Sequence, residues 1–76
     1  MQELLRLEEG MQVTDIGNVP LGRVGRVLAN AFDLILPDGS KIRMSAEALF
    51  TVEHARASLI CPRSRIRSYA ARAELL

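Results

Sequence analysis

Aromatic rings are nearly missing from this chain: among its 76 residues stand Phe32, Phe50 and Tyr69, and no tryptophan. Sequence-tolerant binders of single-stranded nucleic acid usually stack bases on several rings, so the composition weighs against that class. Cys61 is the single cysteine, which excludes an internal disulfide and fits a reducing compartment. His54 is the single histidine, so a zinc site would lack a second His or Cys to join that pair. The net charge is only +1, and no excess of one sign directs the whole chain to polyanions. Nothing approaches the ~18 consecutive apolar residues of a membrane span. The opening MQELLRLEEG carries acids where a secretory signal has its apolar run. The cytoplasm is the expected compartment.

What is present is the composition of a folded domain, 49% hydrophobic and 25% charged. A chain this short buries only about 60% of the surface its unfolded form exposes. It therefore needs a regular fold, or a partner over part of its surface. Residues 1–9 read as a short helical segment with Leu4, Leu5 and Leu7 among charges, ending at Gly10. Met11 to Asp15 alternates apolar and polar residues as a half-buried strand does. Gly17, Asn18 and Pro20 then mark a turn.

The spacing of Leu21, Val24, Val27 and Leu28 fits a helical face, but Gly22 and Gly25 would each cost about 1 kcal/mol inside that helix. A strand with a bulge near Gly25 accounts for the same spacing and suits the valines. Phe32 to Leu36 and Lys41 to Met44 flank Pro37-Asp38-Gly39, which predicts a hairpin with a three-residue loop. In that register Leu36 faces Ser40, Leu34 faces Ile42 and Phe32 faces Met44. Asp33 then meets Arg43 on the other face as an ion pair. A slip of one residue would turn the apolar row outward.

Ser45 to Leu49 reads as one helical turn capped by Ser45. Phe50 to Glu53 and Arg56 to Ile60 form a second predicted hairpin around His54-Ala55. There Val52 opposes Ala57, Phe50 opposes Leu59 and Glu53 opposes Arg56, although His-Ala is not usual turn chemistry. Residues 10–61 thus assemble as several short strands with tight turns, which suggests a small all-β barrel of about six antiparallel strands, flanked by short terminal helical segments. Residues 62–76 form a basic amphipathic tail.

Gly10-Met11-Gln12-Val13, then Gly17, then Leu21-Gly22-Arg23-Val24-Gly25-Arg26-Val27 resemble the entry strands of PRC-barrel-like domains. Phe32 to Leu36, Ile42, Val52 and Leu59 continue the likeness, which covers residues 9–60. It is nearest to short uncharacterised bacterial proteins that are little more than one such barrel. Related barrels occur in the photosynthetic reaction-centre H subunit and in a small-subunit ribosome maturation factor. The resemblance implies a structural or binding module with no catalytic residue to transfer. The chain departs from many relatives at Met44-Ser45, where they carry a proline after the fourth strand.

Sites of chemistry are sparse. Gly17 and Gly22 have the spacing of a phosphate loop, but Arg23-Val24 stands where Lys-Ser or Lys-Thr should contact phosphate and magnesium. A dinucleotide fingerprint fails as well, for want of a first glycine and a following helix. The glycines read as bends. His54 reads as a turn residue and Cys61 as a strand-end thiol, since a nucleophilic pair needs a pocket that activates the thiolate. Asp15 and Asp38 fall in turns, and Asp33 and Glu53 face arginines, so the acids read as solvated surface charge. No catalytic residue, metal ligand or cofactor is expected.

The tail holds the functional promise. Arg63, Arg65, Arg67 and Arg72 carry planar forks suited to phosphate, which implies weak, salt-sensitive contact with RNA. Alternatively Ile66, Tyr69 and Ala73 form an apolar face that packs on the barrel or on a second subunit, with the arginines pairing to Glu8 and Glu9. The expected partners are another protein, the chain itself, or RNA.

Overall fold

The computed structural model describes residues 2–70, so Arg72 and Ala73 lie outside the described residues. A four-residue helix, α1 (Gln2–Leu5), precedes the strands. One turn of helix is not stable alone; α1 is held because Leu4 and Leu7 are buried in the core. Gly10, at φ +92°, closes this segment and donates its N–H to the Val24 carbonyl at 2.8 Å.

Six strands follow: β1 (Gln12–Thr14), β2 (Pro20–Val27), β3 (Ala31–Ile35), β4 (Lys41–Ser45), β5 (Leu49–Glu53) and β6 (Arg56–Leu59). Their order across the sheet is β4-β3-β2-β1-β6-β5. Segment 21–29 is strand through Val27, and its pairing with β3 shifts between Val24 and Val27, where the bulge was expected. The β3–β4 hairpin has the predicted register, with Phe32 opposite Met44, Asp33 opposite Arg43 and Leu34 opposite Ile42. The Leu36 N–H donates to the Ser40 carbonyl at 2.8 Å, and Gly39 takes φ +91° in the loop.

The topology corrects the expectation of an all-antiparallel sheet, because β1 and β6 pair in parallel. The physical reason lies at residues 46–48. These form a single 3₁₀ turn capped by the Ser45 hydroxyl, which accepts from the Glu47 N–H at 3.2 Å. Strand directions along the sheet require β5 to run the same way as β4, so this turn is a corner and not a reversal. The reversal comes at His54-Ala55, and it delivers β6 alongside β1 in β1's own direction.

That corner also dictates curvature. β4 and β5 are the two outermost strands, and a flat sheet would hold them about 24 Å apart, five spacings of ~4.8 Å. The four Cα steps from Ser45 to Leu49 span at most about 14 Å. The sheet therefore curls strongly about its apolar face, yet β4 and β5 do not pair and the sheet is not closed into a barrel. The corner is fastened on both sides, by Ala46 N–H to the Asn30 carbonyl and by Ile60 N–H to the Ala48 carbonyl. Inside the curl lie Phe32, Leu34, Met44, Leu59, Val13 and Val24, the largest fully buried side chains.

The second hairpin differs from its expected pairing at one point. Val52 opposes Ala57 and Glu53 opposes Arg56, but Leu49, not Phe50, faces Leu59. The register shift between Leu49 and Thr51 leaves Phe50 as the extra residue of a bulge. Phe50 is turned out and 60% exposed. Both turn residues have left-handed backbone, His54 at φ 52° and Ala55 at φ 63°. A two-residue hairpin demands that geometry whatever residues supply it. The chain ends its described part in a 3₁₀ helix, Arg63–Tyr69, and Ala70 bridges to Met44 on the open edge of β4.

Candidate functional site

In a 3₁₀ helix side chains three apart eclipse one another, so Arg63, Ile66 and Tyr69 share one row. Ile66 is 8% exposed and joins the domain's own core, while Tyr69 is half-buried against it. The apolar row of the tail thus packs on the sheet that precedes it. Of the two packings expected for this face, Ile66 and Tyr69 take the one against the chain's own sheet, and Ile66 keeps little exposed surface. Arg63, Arg65 and Arg67 are exposed. None of the three forms an ion pair with Glu8 or Glu9, and among the described residues the ion pair is Arg43–Asp33 at 2.9 Å.

Arg63 and Arg67 overhang a cleft of about 380 Å³ whose apolar lining includes Leu21, Leu36 and Ile66. Asp38 lines the same cleft. Its Oδ1 accepts from the Ser40 hydroxyl at 2.7 Å and from the Ser40 N–H at 2.9 Å. Those bonds hold the carboxyl below its usual range, with a smaller contribution from the charge of Arg67. A carboxylate lining the cleft opposes entry of an anion into it.

The 3₁₀ helix is anchored through a residue that the sequence presents as surface charge. Asp15 is only 5% exposed. Its Oδ1 accepts from the N–H groups of Gly17 at 2.8 Å and Val19 at 2.9 Å, and its Oδ2 accepts from the N–H of Arg63 at 3.1 Å. One carboxylate thereby ties the β1–β2 turn to the start of the helix. The Val19 bond chiefly lowers its pKa, burial opposes the shift, and the Arg63 and Gly17 N–H groups and the Arg63 charge add to it. Asp33, 6% exposed, is likewise no free surface acid: its Oδ1 accepts from Arg43 Nε at 2.9 Å. The hint for Asp15 was present in Asp15-Ile16-Gly17-Asn18, a sequence in which an aspartate side chain bonds the backbone two residues on.

His54 and Cys61 are not brought together. His54 is exposed on the β5–β6 turn, whereas Cys61 is buried beyond the opposite end of β6. Burial, and then the nearby charge of Asp15, push the Cys61 thiol up and away from the nucleophilic thiolate form. Among the described residues no three His, Cys, Asp or Glu side chains are grouped to hold a metal ion. No helix among them is long and apolar enough to cross a membrane.

No family model, curated protein or solved structure matches the chain.

Proposed function

We propose that this chain is a non-catalytic binding and assembly module of the cytoplasm, built on a small PRC-like barrel. The observation that carries the reading is the placement of apolar side chains on the β5 side of the domain. Phe50 is 60% exposed on the bulge of an outermost strand, and Leu5 is 85% exposed on α1, which packs on that strand. A bulge on an outer strand re-aims a side chain, here turning Phe50 out of the core. Meanwhile Asp15, Asp33 and Asp38 are engaged in holding turns and strands. The partner is another protein, or a second copy of the chain. Phe50→Ser combined with Leu5→Ser tests the reading by light scattering and by capture of bound protein from the native host. Loss of association with an unchanged melting temperature supports it; association equal to that of the wild type refutes it.

A second reading, contact with RNA phosphates through the tail, is favoured by one observation. Because Ile66 points inward, Arg63, Arg65 and Arg67 are left exposed without ion-pair partners among the described residues. Replacing the three with glutamine removes low-salt RNA binding if this reading holds, and leaves it intact if it does not.

A further inference from the structure

The cleft of about 380 Å³ is lined jointly by the 3₁₀ helix, the β3–β4 loop and Leu21 of β2. Its volume falls at the lower end of the roughly 300–1,000 Å³ usual for small-ligand sites. Side chains three apart eclipse in a 3₁₀ helix, so two of its three rows line the cleft, Arg63 with Ile66 and Ser64 with Arg67. The third row carries Arg65, which does not line it. The helix is fixed about its axis, because Ile66 is buried in the core and the Arg63 N–H donates to Asp15 Oδ2 at 3.1 Å. The loop is fixed as well: Asp38 Oδ1 accepts from the Ser40 hydroxyl and N–H, whereas Oδ2 has no partner among the described residues. An apolar lining, two guanidinium groups and one carboxylate thus meet in one place, and no ion pair among the described residues joins those charges. Two arginines against one aspartate leave the cleft with a net charge of +1.

We infer that this cleft takes the C-terminal end of a partner protein whose last residue is a large aliphatic one. Unpaired charges of both signs select a ligand that carries an anionic group and a donor side by side. A bare anion satisfies the arginines but is opposed by Asp38. A chain terminus satisfies both: its carboxylate accepts from the planar forks of Arg63 and Arg67, and the amide N–H groups behind it donate to the free Oδ2 of Asp38. Capture of a terminal carboxylate is a recurring mode of peptide recognition. Carboxylate and last side chain leave the same carbon, so an aliphatic side chain reaches Leu21, Leu36 and Ile66 while the carboxylate stays with the arginines. An acidic residue inside a chain needs the main chain to leave in two directions, whereas a terminus needs one exit, which suits a cleft of this size. Phe50 and Leu5 take no part in the lining, so the site is separate from the apolar β5 side.

The test is a titration of the isotope-labelled full chain with the peptide acetyl-Ala-Leu, followed by amide chemical shifts. At the efficiency usual for so small a ligand the Kd should be on the order of 0.1–1 mM. The shifts should gather at Leu21, Leu36 and residues 63–67. Amidating the peptide removes the charge-assisted bonds and should weaken binding roughly tenfold or more. Exchanging its leucine for glycine should do the same. An amide that carries its carboxylate on a glutamate side chain, acetyl-Glu-Leu-amide, should bind as weakly as the plain amide. Arg67→Gln should cost roughly tenfold, whereas Arg65→Gln, outside the cleft, should change affinity by no more than about twofold. Unchanged melting temperatures establish that these exposed variants fold, and the amide peptides need no variant at all. No shift at about 10 mM peptide, well above the expected Kd, overturns the inference. So does binding of either amide as tight as that of acetyl-Ala-Leu. Equal losses from Arg65→Gln and Arg67→Gln overturn it too, and return the three arginines to the RNA reading.

Discussion

Adding one methyl group at Gly22 should damage this domain far more than adding the same group three residues along, at Gly25. A Cβ built on Gly22 overlaps the carbonyl oxygen of Ile35 and lies 2.9 Å from its carbonyl carbon and 3.3 Å from the Leu36 Cα. All three are backbone atoms of the tightly paired β3–β4 hairpin, so relief requires β2 to move away from β3. Overpacking a core costs about 1–3 kcal/mol where side chains can yield, and backbone yields less readily, which puts Gly22→Ala at roughly 3 kcal/mol or above. The reduced freedom of the unfolded chain returns only about 0.4–1 kcal/mol. At Gly25 the added Cβ meets the end of the Ile35 side chain, Cδ1 at 2.9 Å and Cγ1 at 3.1 Å, and a rotation of that side chain relieves the contact. The net effect there should stay within about 1 kcal/mol. For a domain of this size each kcal/mol moves the melting temperature by about 4–8 °C. Thermal unfolding followed by circular dichroism should then show Gly22→Ala lower by roughly 10–20 °C and Gly25→Ala within a few degrees of wild type. A Gly22→Ala protein that melts with the wild type, or a larger loss at Gly25, would refute the close approach of β2 to β3.

The hairpin turn offers the opposite sign. Ala55 at φ 63° bears a left-handed backbone that costs an L-residue about 1–2 kcal/mol, so Ala55→Gly should raise stability by about 0.5–1 kcal/mol net of glycine's entropy, and a lowered urea midpoint would contradict the turn assignment. Asp15 has a folded pKa depressed below its ordinary 3.8; its stabilising effect is complete above that value and is lost as pH falls through the depressed one. Urea midpoints should therefore drop on acidification below about pH 4, more shallowly for Asp15→Asn, and identical pH profiles would deny the carboxylate its anchoring part. Buried Cys61, with its thiol pushed up, should react with an alkylating reagent at least roughly tenfold more slowly in the native protein than in denaturant; equal rates would place it at the surface.

The elements readable from sequence are those whose partners are close along the chain. Pro37-Asp38-Gly39 and the alternation on either side of it determine the β3–β4 register without help from elsewhere, and the bulge in β2 follows from valines and glycines that resist a helix. Ser45 likewise announces its own turn. What escaped reading depends on distant partners. The parallel pairing of β1 with β6 joins residues 12–14 to 56–58 and leaves no local mark. Phe50 looks like a core residue by alternation, and only the corner just before it forces the bulge that turns it out. Asp15 reads as a turn acid until its second oxygen finds the N–H of Arg63, 48 residues away.

The corner at residues 46–48 has one more consequence. Because so short a link joins the first and last ribbons of the sheet, it works as a clasp whose length sets how tightly the whole wrap is drawn. Lengthening it by a few residues would let the wrap relax, bare the unpaired peptide groups along both borders and invite neighbouring molecules to stack onto them. The tightness of the wrap is thus set by Ala46, Glu47 and Ala48, three residues that belong to no strand.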